Sequence, residues 1–229
     1  MNKGYRGGKI CLPIVETTME KAFRAVEEGN CLADLIELRV DYLRGAALEK
    51  LLKAGEKPLI VTNRRRLEGG RYRGDEKKRL VILREATSLG AAFVDVEIRT
   101  ERSSLRELMK NKNGTRMVLS FHDFQRTPSG AELRKLLDRM NRQGADVAKI
   151  VTFARSWDDN LKVLALIPYA RRRRQAIVTF CMGEKGKMSR IFSPLMGAAW
   201  TYAPLSRKRA SAPGQLTIQE MREIWERLE

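Results

Sequence analysis

The amino-acid sequence predicts an α/β protein whose parallel strands close into a (β/α)8 TIM barrel. Eight short, nearly continuous apolar runs alternate with longer amphipathic stretches, which is typical of strands covered by helices. The 229 residues divide into eight repeats of about 29, which suits a fold that averages roughly 250 residues. Because no linker or low-complexity tract interrupts this pattern, we expect residues 1–229 to form one domain.

The predicted strands are rich in Val, Ile, Leu and Phe, and they cover residues 9–14, 34–39, 58–63, 93–97, 116–122, 147–152, 176–180 and 199–203. Helical patterns between and after them include 19–28, 74–89, 131–143, 158–168 and 218–228. Thr17-Thr18 and Pro128-Ser129 are typical helix starts. An open sheet of seven or eight strands would show the same pattern, so pattern alone does not establish closure.

The chain is strongly basic, with 45 Lys and Arg against 28 Asp and Glu and a net charge of +17. Such a charge fits a nucleic-acid binder, a site for anionic substrates or a well-solvated surface. The basic runs 64–66, 171–174 and 207–209 are not accompanied by any RRM, KH or zinc-finger pattern. We therefore expect a solvated surface and no nucleic-acid partner.

Cysteine usage and hydropathy indicate the compartment. The three cysteines, Cys11, Cys31 and Cys181, form no CxxC pair, which argues against a disulfide framework and a zinc site. No stretch approaches the roughly 20 apolar residues of a membrane span. The basic N-terminus precedes an apolar run, 10–15, that is shorter than a secretory signal requires. We expect a cytoplasmic protein with no membrane association.

Polar side chains lie at the predicted carboxyl ends of several strands. In a parallel barrel these ends converge on one mouth, where active sites are built. Strand alternation places Glu37, Arg39 and Asp41 on the same side. Strands three to five end in Thr62-Asn63-Arg64, Asp95-Val96-Glu97 and Ser120-Phe121-His122-Asp123.

Lys149 stands inside the apolar run 147–151 of the sixth strand. One interpretation is a lysine whose stem packs against apolar surface while its amine reaches solvent. The other is an amine nucleophile that forms Schiff bases with ketones and aldehydes. Burial and cations such as Arg39, Arg64 and Arg190 would favour the neutral amine that this chemistry needs.

His122 is the only histidine, and it ends the strand that precedes the Lys149 strand. A lone histidine is more often structural, but a place beside a nucleophile favours general acid–base chemistry. With no clustered cysteines near it in sequence, metal binding is not expected. Glu68, before Gly69-Gly70, is a candidate to orient the imidazole, as is Glu37, although Glu68 also fits an ordinary surface turn.

Two loops contain candidate binding residues. Arg190 follows the seventh strand, and its guanidinium could clamp a carboxylate in a bidentate manner. The basic, small-residue segment 206–214 predicts a mobile lid, from which Ser211 and Gln215 could hydrogen-bond to a polyhydroxy ligand. Neither loop is specific by itself, because ordinary connections have similar compositions.

In their order along the chain, seven segments resemble the type I 3-dehydroquinate dehydratases, the Schiff-base enzymes of the shikimate pathway. The resemblance runs from Ile10 to Gln215. The matching segments are Glu37-Leu38-Arg39-Val40-Asp41, Thr62-Asn63-Arg64 with Glu68-Gly69-Gly70, Asp95-Val96-Glu97, Ser120-Phe121-His122-Asp123-Phe124, the Lys149 strand, Met182-Gly183 with Ser189-Arg190, and Ser211-Ala212-Pro213-Gly214-Gln215.

The resemblance implies a (β/α)8 barrel that is usually a homodimer, a hydro-lyase of aromatic amino-acid biosynthesis with 3-dehydroquinate as its small-molecule substrate and no metal or organic cofactor. It implies that Lys149 forms the imine and that His122 moves the protons of a syn elimination and also assists imine formation and hydrolysis. It further implies that Glu68 pairs with His122. Arg190 matches the carboxylate clamp. The other ligand-contacting positions matched are Glu37, Arg39, Arg64, Ser211 and Gln215.

The sequence departs from the family pattern at Tyr202, where a phenylalanine is expected, and in the more basic segments 64–66 and 206–209. A class I aldolase would also use a barrel lysine. Most such aldolases bind phosphate in glycine-rich loops after strands seven and eight, however, and the loops here suit a carboxylate and hydroxyls better. A basic nucleic-acid-binding domain would leave Lys149 and the strand-end cluster without a role.

Overall fold

The computed structural model describes residues 8–45 and 47–228. Over these residues the strands form one sheet, and every ladder in it is parallel. The strands are β1 (Ile10–Ile14), β2 (Leu35–Arg39), β3 (Leu59–Thr62), β4 (Phe93–Glu97), β5 (Arg116–His122), β6 (Val147–Phe153), β7 (Ala176–Met182) and β8 (Thr201–Tyr202). The predicted basic N-terminus lies mainly outside the described residues, in 1–7.

Helices connect the strands. They are α1 (Met19–Leu32), α2 (Leu48–Ala54), α3 (Glu76–Ser88), α4 (Arg102–Lys110), α5 (Gly130–Arg142), α6 (Asp158–Leu164), α7 (Leu166–Arg172), α8 (Lys187–Leu195) and α9 (Ile218–Leu228). Short 3-10 turns cover Arg66–Glu68, Glu184–Gly186 and Arg207–Arg209. In the described part of the chain, no helix combines the length and the apolar character needed to cross a membrane.

The sheet curves round until its two outer strands meet. Hydrogen-bonded neighbours run from β7 down to β1 and then to β8. The Ala199 amide, just before β8, donates to the Ile177 carbonyl of β7 at 2.7 Å. The predicted (β/α)8 barrel is therefore confirmed, and the alternative of an open sheet is wrong.

The barrel interior changes from apolar to polar along the strand direction. Side chains near the strand starts form an apolar interior cluster that includes Leu35, Ile60, Phe93, Val118 and Val147. Two positions further along each strand, on the same face, the buried residues are Glu37, Thr62, Asp95, Ser120 and Lys149. The outward side chains instead pack with the helices, as Ile36, Leu38, Ala148 and Ile150 do. This layering puts the polar groups toward the mouth.

Two helix predictions are corrected by packing. The predicted helix 19–28 continues to Leu32, because Gly29 allows α1 to approach β1 and β2 closely: a Cβ on Gly29 would lie 2.9 Å from Leu12 and Ile36 side-chain atoms. The predicted helix 158–168 is two helices that meet at Ala165. Pro168 does not end the second helix. It lies in the first turn, where the backbone N–H that proline lacks would have no partner within the helix.

Strand ends also differ from the predictions. The eighth strand is only two residues long, not five, because it pairs with β1 through only Ile10 and Cys11. Strands β6 and β7 extend past their predicted ends to Phe153 and Met182, since these two residues still pair with each other.

The start of α5 follows the sequence prediction. Ser129 caps the helix, and its side chain and that of Glu132 each hydrogen-bond the other residue's backbone amide, which forms a capping box. Its Oγ accepts from the Glu132 amide at 3.3 Å, and Glu132 Oε2 accepts from the Ser129 amide at 2.9 Å. Two otherwise unpaired amides of the first turn are thereby satisfied.

Replacing the cap tests this local assignment. We expect Ser129→Ala to lower the free energy of unfolding by about 1 kcal/mol, the usual contribution of a serine N-cap. Urea denaturation followed by circular dichroism measures the change. Ser88→Ala, at the exposed C-terminal end of α3, is the matched control and should leave stability nearly unchanged. Equal effects of the two substitutions would contradict the capping assignment.

Candidate active site

A cavity opens at the carboxyl ends of the strands. Its position is typical of active sites in barrel proteins. All of the site residues predicted from the sequence line it, namely Lys149, His122, Glu68, Glu37, Arg39, Arg64, Arg190, Ser211 and Gln215. The structure therefore brings together side chains that are up to 178 positions apart in the sequence.

Lys149 lies at the floor of the cavity and is only 5% exposed. Its Nζ lies 3.0 Å from Asp95 Oδ2, 3.0 Å from Tyr202 Oη and 3.3 Å from Glu37 Oε1. The interpretation of a lysine reaching solvent is therefore wrong. The predicted surroundings are also corrected, since the charged groups in contact with Nζ are carboxylates and not guanidinium groups.

Asp95 links Lys149 to Arg64, whose Nη2 lies 2.7 Å from Asp95 Oδ1. Ser120 Oγ donates to the same carboxylate oxygen at 2.6 Å. Burial by itself would raise the pKa of Asp95, but the positive charges of Arg64 and Lys149 outweigh it and hold the pKa well below its usual value. Asp95 is therefore ionised at neutral pH.

Arg64 is itself committed to protein partners. Burial would lower the pKa of its guanidinium, but the carboxylates of Asp95 and Glu97 raise it above its ordinary value. Nη1 lies 3.2 Å from Glu97 Oε1 and donates to Ser120 Oγ at 2.6 Å. Arg64 thus fixes the carboxylate that holds Lys149.

Glu68 reaches the cavity because the chain turns sharply after β3. It ends a 3-10 turn and is followed by Gly69 with φ of +77° and by Gly70, where a Cβ would lie 1.9 Å from the Arg64 carbonyl oxygen. This turn places Glu68 Oε2 3.4 Å from His122 Nδ1. Burial raises the pKa of Glu68, partly offset by Arg64 and Arg65.

His122 lies on the strand next to that of Lys149, two positions nearer the carboxyl end of the strands. Ser120 pairs with Lys149 in the β5–β6 register, and His122 pairs with Val151. Burial, with the positive charges of Arg64 and Lys149, lowers the pKa of His122 well below 6.5. The imidazole is therefore neutral at pH 7. With Nδ1 directed at Glu68, the tautomer that donates to this carboxylate leaves Nε2 as a free base.

Arg190 is a buried cation with little compensation. It is 1% exposed, lies over the Phe180 ring at 4.4 Å and donates from Nη2 to the Pro213 carbonyl at 3.3 Å. Its Nε and Nη1 have no hydrogen-bond partner within the described residues. Burial lowers the pKa of Arg190 to about 10, so it remains charged at neutral pH. An anion in the cavity would satisfy these donors.

The remaining predicted residues form the rim. Arg39 makes a bidentate pair with Asp41, with both N–O distances at 2.8 Å. Gln215 Oε1 accepts from the Ser211 amide at 2.7 Å and from the Ala212 amide at 3.2 Å. The predicted lid segment therefore has internal order at the cavity edge.

Three residues near Lys149 and His122 were given no role in the site by the sequence analysis. Asp95 and Tyr202 contact Lys149, and Phe124 stacks on His122 with ring centroids 6.0 Å apart. The alternation of Phe93, Asp95 and Glu97 is the sequence signal that could have placed Asp95 on the inward face. The sequence marked Tyr202 only as a departure from the family pattern, and an aromatic residue on a short strand is usually part of the core.

The site brings together a buried amine, a neutral imidazole and a guanidinium that has donors without a partner among the described residues. Within residues 8–45 and 47–228, no group of three or more His, Cys, Asp or Glu residues is arranged to hold a metal ion. The carboxylates near Lys149 are held by cations and by hydroxyl groups.

The chain is similar to known proteins in sequence and in fold. The family model for type I 3-dehydroquinase matches residues 10–229. The 3-dehydroquinate dehydratase of Methanocaldococcus jannaschii is 37% identical over 220 residues, covering 94% of this chain and 97% of that protein.

Two solved structures are also similar over nearly their whole lengths. The 3-dehydroquinate dehydratase of Geobacillus kaustophilus has a TM-score of 0.88 and 29% identity, over 97% of this chain and 91% of that one. The type I 3-dehydroquinate dehydratase of Clostridium difficile, solved with covalently modified comenic acid, has a TM-score of 0.87 and 26% identity, over 98% and 93%.

The pKa of the single histidine can be measured directly. We expect the one imidazole NMR signal of the folded protein to titrate well below pH 6.5, because burial and two cations disfavour imidazolium. The unfolded chain then binds more protons below pH 6.5, so His122 reduces the free energy of unfolding as pH falls through this range.

The same chain in urea is the control, and its imidazole should titrate near 6.5. A folded-state midpoint at or above 6.5 would show that the imidazole is not desolvated among cations.

Proposed function

The chain belongs to the type I 3-dehydroquinase family and is a hydro-lyase, and we propose that it removes water from 3-dehydroquinate through a Schiff base on Lys149. The observation that carries this proposal is the burial of the Lys149 amine at the floor of a cavity that His122 and Arg190 also line. The covalently modified ligand of the Clostridium difficile relative supports covalent chemistry at such a site.

In the proposed reaction, the Lys149 ammonium first gives a proton to His122, and the free amine attacks the C3 ketone. His122 returns this proton to the carbinolamine hydroxyl, which leaves as water and gives an iminium. The iminium withdraws the electron pair that remains when a C2 proton leaves. His122, which is neutral at pH 7, takes this proton at Nε2 and returns it to the C1 hydroxyl as the C1–O bond breaks. Hydrolysis of the product imine then frees Lys149 and releases 3-dehydroshikimate.

The other residues orient these two groups or bind substrate. Glu68 accepts from His122 Nδ1 and keeps Nε2 directed at the substrate. Arg190 binds the substrate carboxylate through the donors that lack a protein partner. Ser211, Gln215, Glu37 and Arg39 contact the substrate hydroxyls.

Arg64 does not bind the substrate directly in this proposal. Its donors already serve Asp95, Glu97 and Ser120. It therefore acts on the substrate through Asp95 and Lys149.

The family resemblance extends the proposal to the cellular setting. The enzyme would act in the shikimate pathway of aromatic amino-acid biosynthesis, in the cytoplasm, as a homodimer of one catalytic domain per chain covering 1–229. It would need no cofactor and bind no nucleic acid. The net charge of +17 would then serve solvation and the attraction of an anionic substrate.

Borohydride trapping tests the nucleophile. We expect incubation with 3-dehydroquinate and borohydride to leave a reduced adduct on Lys149, located by peptide mass mapping. Lys149→Ala should form no adduct and lose turnover by about a thousandfold or more, because removing a covalent nucleophile leaves only residual catalysis.

Lys53→Ala, at an exposed lysine on α2 that pairs with Glu49, is the matched control and should behave as the unaltered protein. An adduct on another lysine, or retained turnover in Lys149→Ala, would reject the assignment.

The role of Arg190 predicts a defect mainly in binding. Loss of a charge-assisted hydrogen bond worth about 1.5–3 kcal/mol should raise KM about 10- to 150-fold in Arg190→Ala, with a smaller change in kcat. Steady-state kinetics measures both constants. Arg207→Ala removes a surface arginine that pairs with Glu220 and should change KM little. An unaltered KM in Arg190→Ala would exclude the carboxylate clamp.

A further inference from the structure

Tyr202 is the third group in contact with the Lys149 amine, and its chemistry differs from that of the other two. Its Oη lies 3.0 Å from Nζ and 3.5 Å from Glu37 Oε1. The ionised carboxylates of Glu37 and Asp95 can only accept hydrogen bonds, whereas a phenol both accepts and donates at one oxygen. Among the contacts of Nζ within the described residues, Tyr202 is therefore the group able to supply a proton.

The hydroxyl is held in its protonated form. Burial, followed by the negative charges near it, above all that of Glu37, raises the pKa of Tyr202 well above its ordinary value of 10. The phenol therefore keeps its proton at neutral pH. Tyr202 also lines the cavity that Lys149 lines, and its oxygen lies 3.0 Å from the amine that would attack a carbonyl there.

The ring is fixed by its surroundings. Tyr202 lies on β8 and pairs in register with Cys11 of β1. Its ring packs against Phe180 with centroids 6.1 Å apart, and Lys149 Nζ lies 4.3 Å from its ring centroid. The position of the oxygen relative to Nζ is therefore set by the barrel itself and not by a loop.

Building on the Schiff-base function proposed above, we propose that Tyr202 carries a proton from nitrogen to oxygen as the carbinolamine forms. The Nζ lone pair makes the C–N bond, and the carbonyl π pair moves to oxygen, which leaves an ammonium beside an alkoxide. One N–H proton passes to Tyr202 Oη while the phenol proton passes to the alkoxide. The phenol is regenerated, the carbinolamine is neutral and no further reactant is consumed.

This route avoids separated charges in a buried site. If the N–H proton passed to Glu37 or Asp95 instead, the alkoxide would remain charged until another donor arrived, which is costly where water is scarce. His122 remains available for the C2 proton. The same shuttle runs in reverse when water attacks the product imine, as the reversibility of each proton transfer requires.

Tyr202→Phe isolates the hydroxyl, because it keeps the ring and therefore the contact between the ring and Lys149 Nζ. The protein is mixed rapidly with 3-dehydroquinate, quenched with borohydride at successive times and analysed for reduced adduct on Lys149. We expect adduct formation at least about 10-fold slower than in the unaltered protein, a modest share of what general acid–base catalysis contributes.

Two further measurements separate chemistry from structure. The variant should remain folded at the assay temperature, and its affinity for the corresponding alcohol, which has a hydroxyl in place of the ketone and forms no imine, should be unchanged. Tyr169→Phe is the matched control. It removes a hydroxyl that donates to Asp138 Oδ2 at 2.8 Å on the outer helices, and it should leave adduct formation unaffected.

Each outcome has a distinct meaning. Equal trapping rates in Tyr202→Phe and the unaltered protein would overturn the shuttle and leave Lys149 as the nucleophile. A slower rate with a parallel loss of affinity for the alcohol would assign the hydroxyl to binding and also overturn the shuttle. No adduct on Lys149 of the unaltered protein would overturn the proposed function, and the shuttle with it.

Discussion

The ammonium of Lys149 lies inside the barrel, and the arrangement of the polar layer follows from the need to compensate its charge. An isolated cation at such a depth costs several kcal/mol. Glu37 and Asp95 provide the opposite charges, and each is held in turn, Glu37 by the Thr62 hydroxyl at 2.8 Å and Asp95 by Arg64. Removing one member would leave another charge buried without a partner, so the layer is stable only as a set.

Two of the cations that line the cavity, Lys149 and Arg190, differ in how their hydrogen-bond donors are satisfied. Lys149 has an acceptor for each of the three hydrogens of its ammonium, whereas Arg190 has donors with no acceptor among the described residues. The Lys149 amine is thus fully paired before a ligand enters, whereas Arg190 keeps donors that are unpaired within the described part of the chain. A ligand carboxylate would contribute most of its binding energy at Arg190, where it would replace no existing protein contact.

Strand alternation and the order of the strands predicted much of the site. They placed Glu37 and Arg39 on the inward face and His122 one strand from Lys149, because both follow from local geometry. The ion-pair partners of the charged side chains could not be predicted from this local geometry. Arg39 and Arg64 were expected beside the Lys149 amine, but one binds Asp41 and the other binds Asp95. Sequence spacing does not determine which way a long side chain turns.

For residues far apart in the sequence, the family pattern was needed to choose between candidates, since both Glu68 and Glu37 could have oriented His122. Glu68 and His122 are 54 positions apart, and their pairing depends on the turn at Gly69 and Gly70. The second half of the predicted helix 158–168 was misjudged for a related reason. A proline usually ends a helix, but the break at Ala165 places Pro168 in the first turn of a new one.

The predicted lid segment, 206–214, is held by two kinds of contact. Near the cavity, the Pro213 carbonyl accepts from Arg190 Nη2 and from the Gly183 amide, both at 3.3 Å. At the outer edge, Arg209 pairs with Glu28 at 3.0 Å and with Glu16 at 3.5 Å on the surface. Salt screens the exposed ion pairs of Arg209 but hardly affects the hydrogen bonds to the Pro213 carbonyl. Rising ionic strength should therefore weaken the attachment of this segment at Arg209 before it weakens the attachment at Pro213.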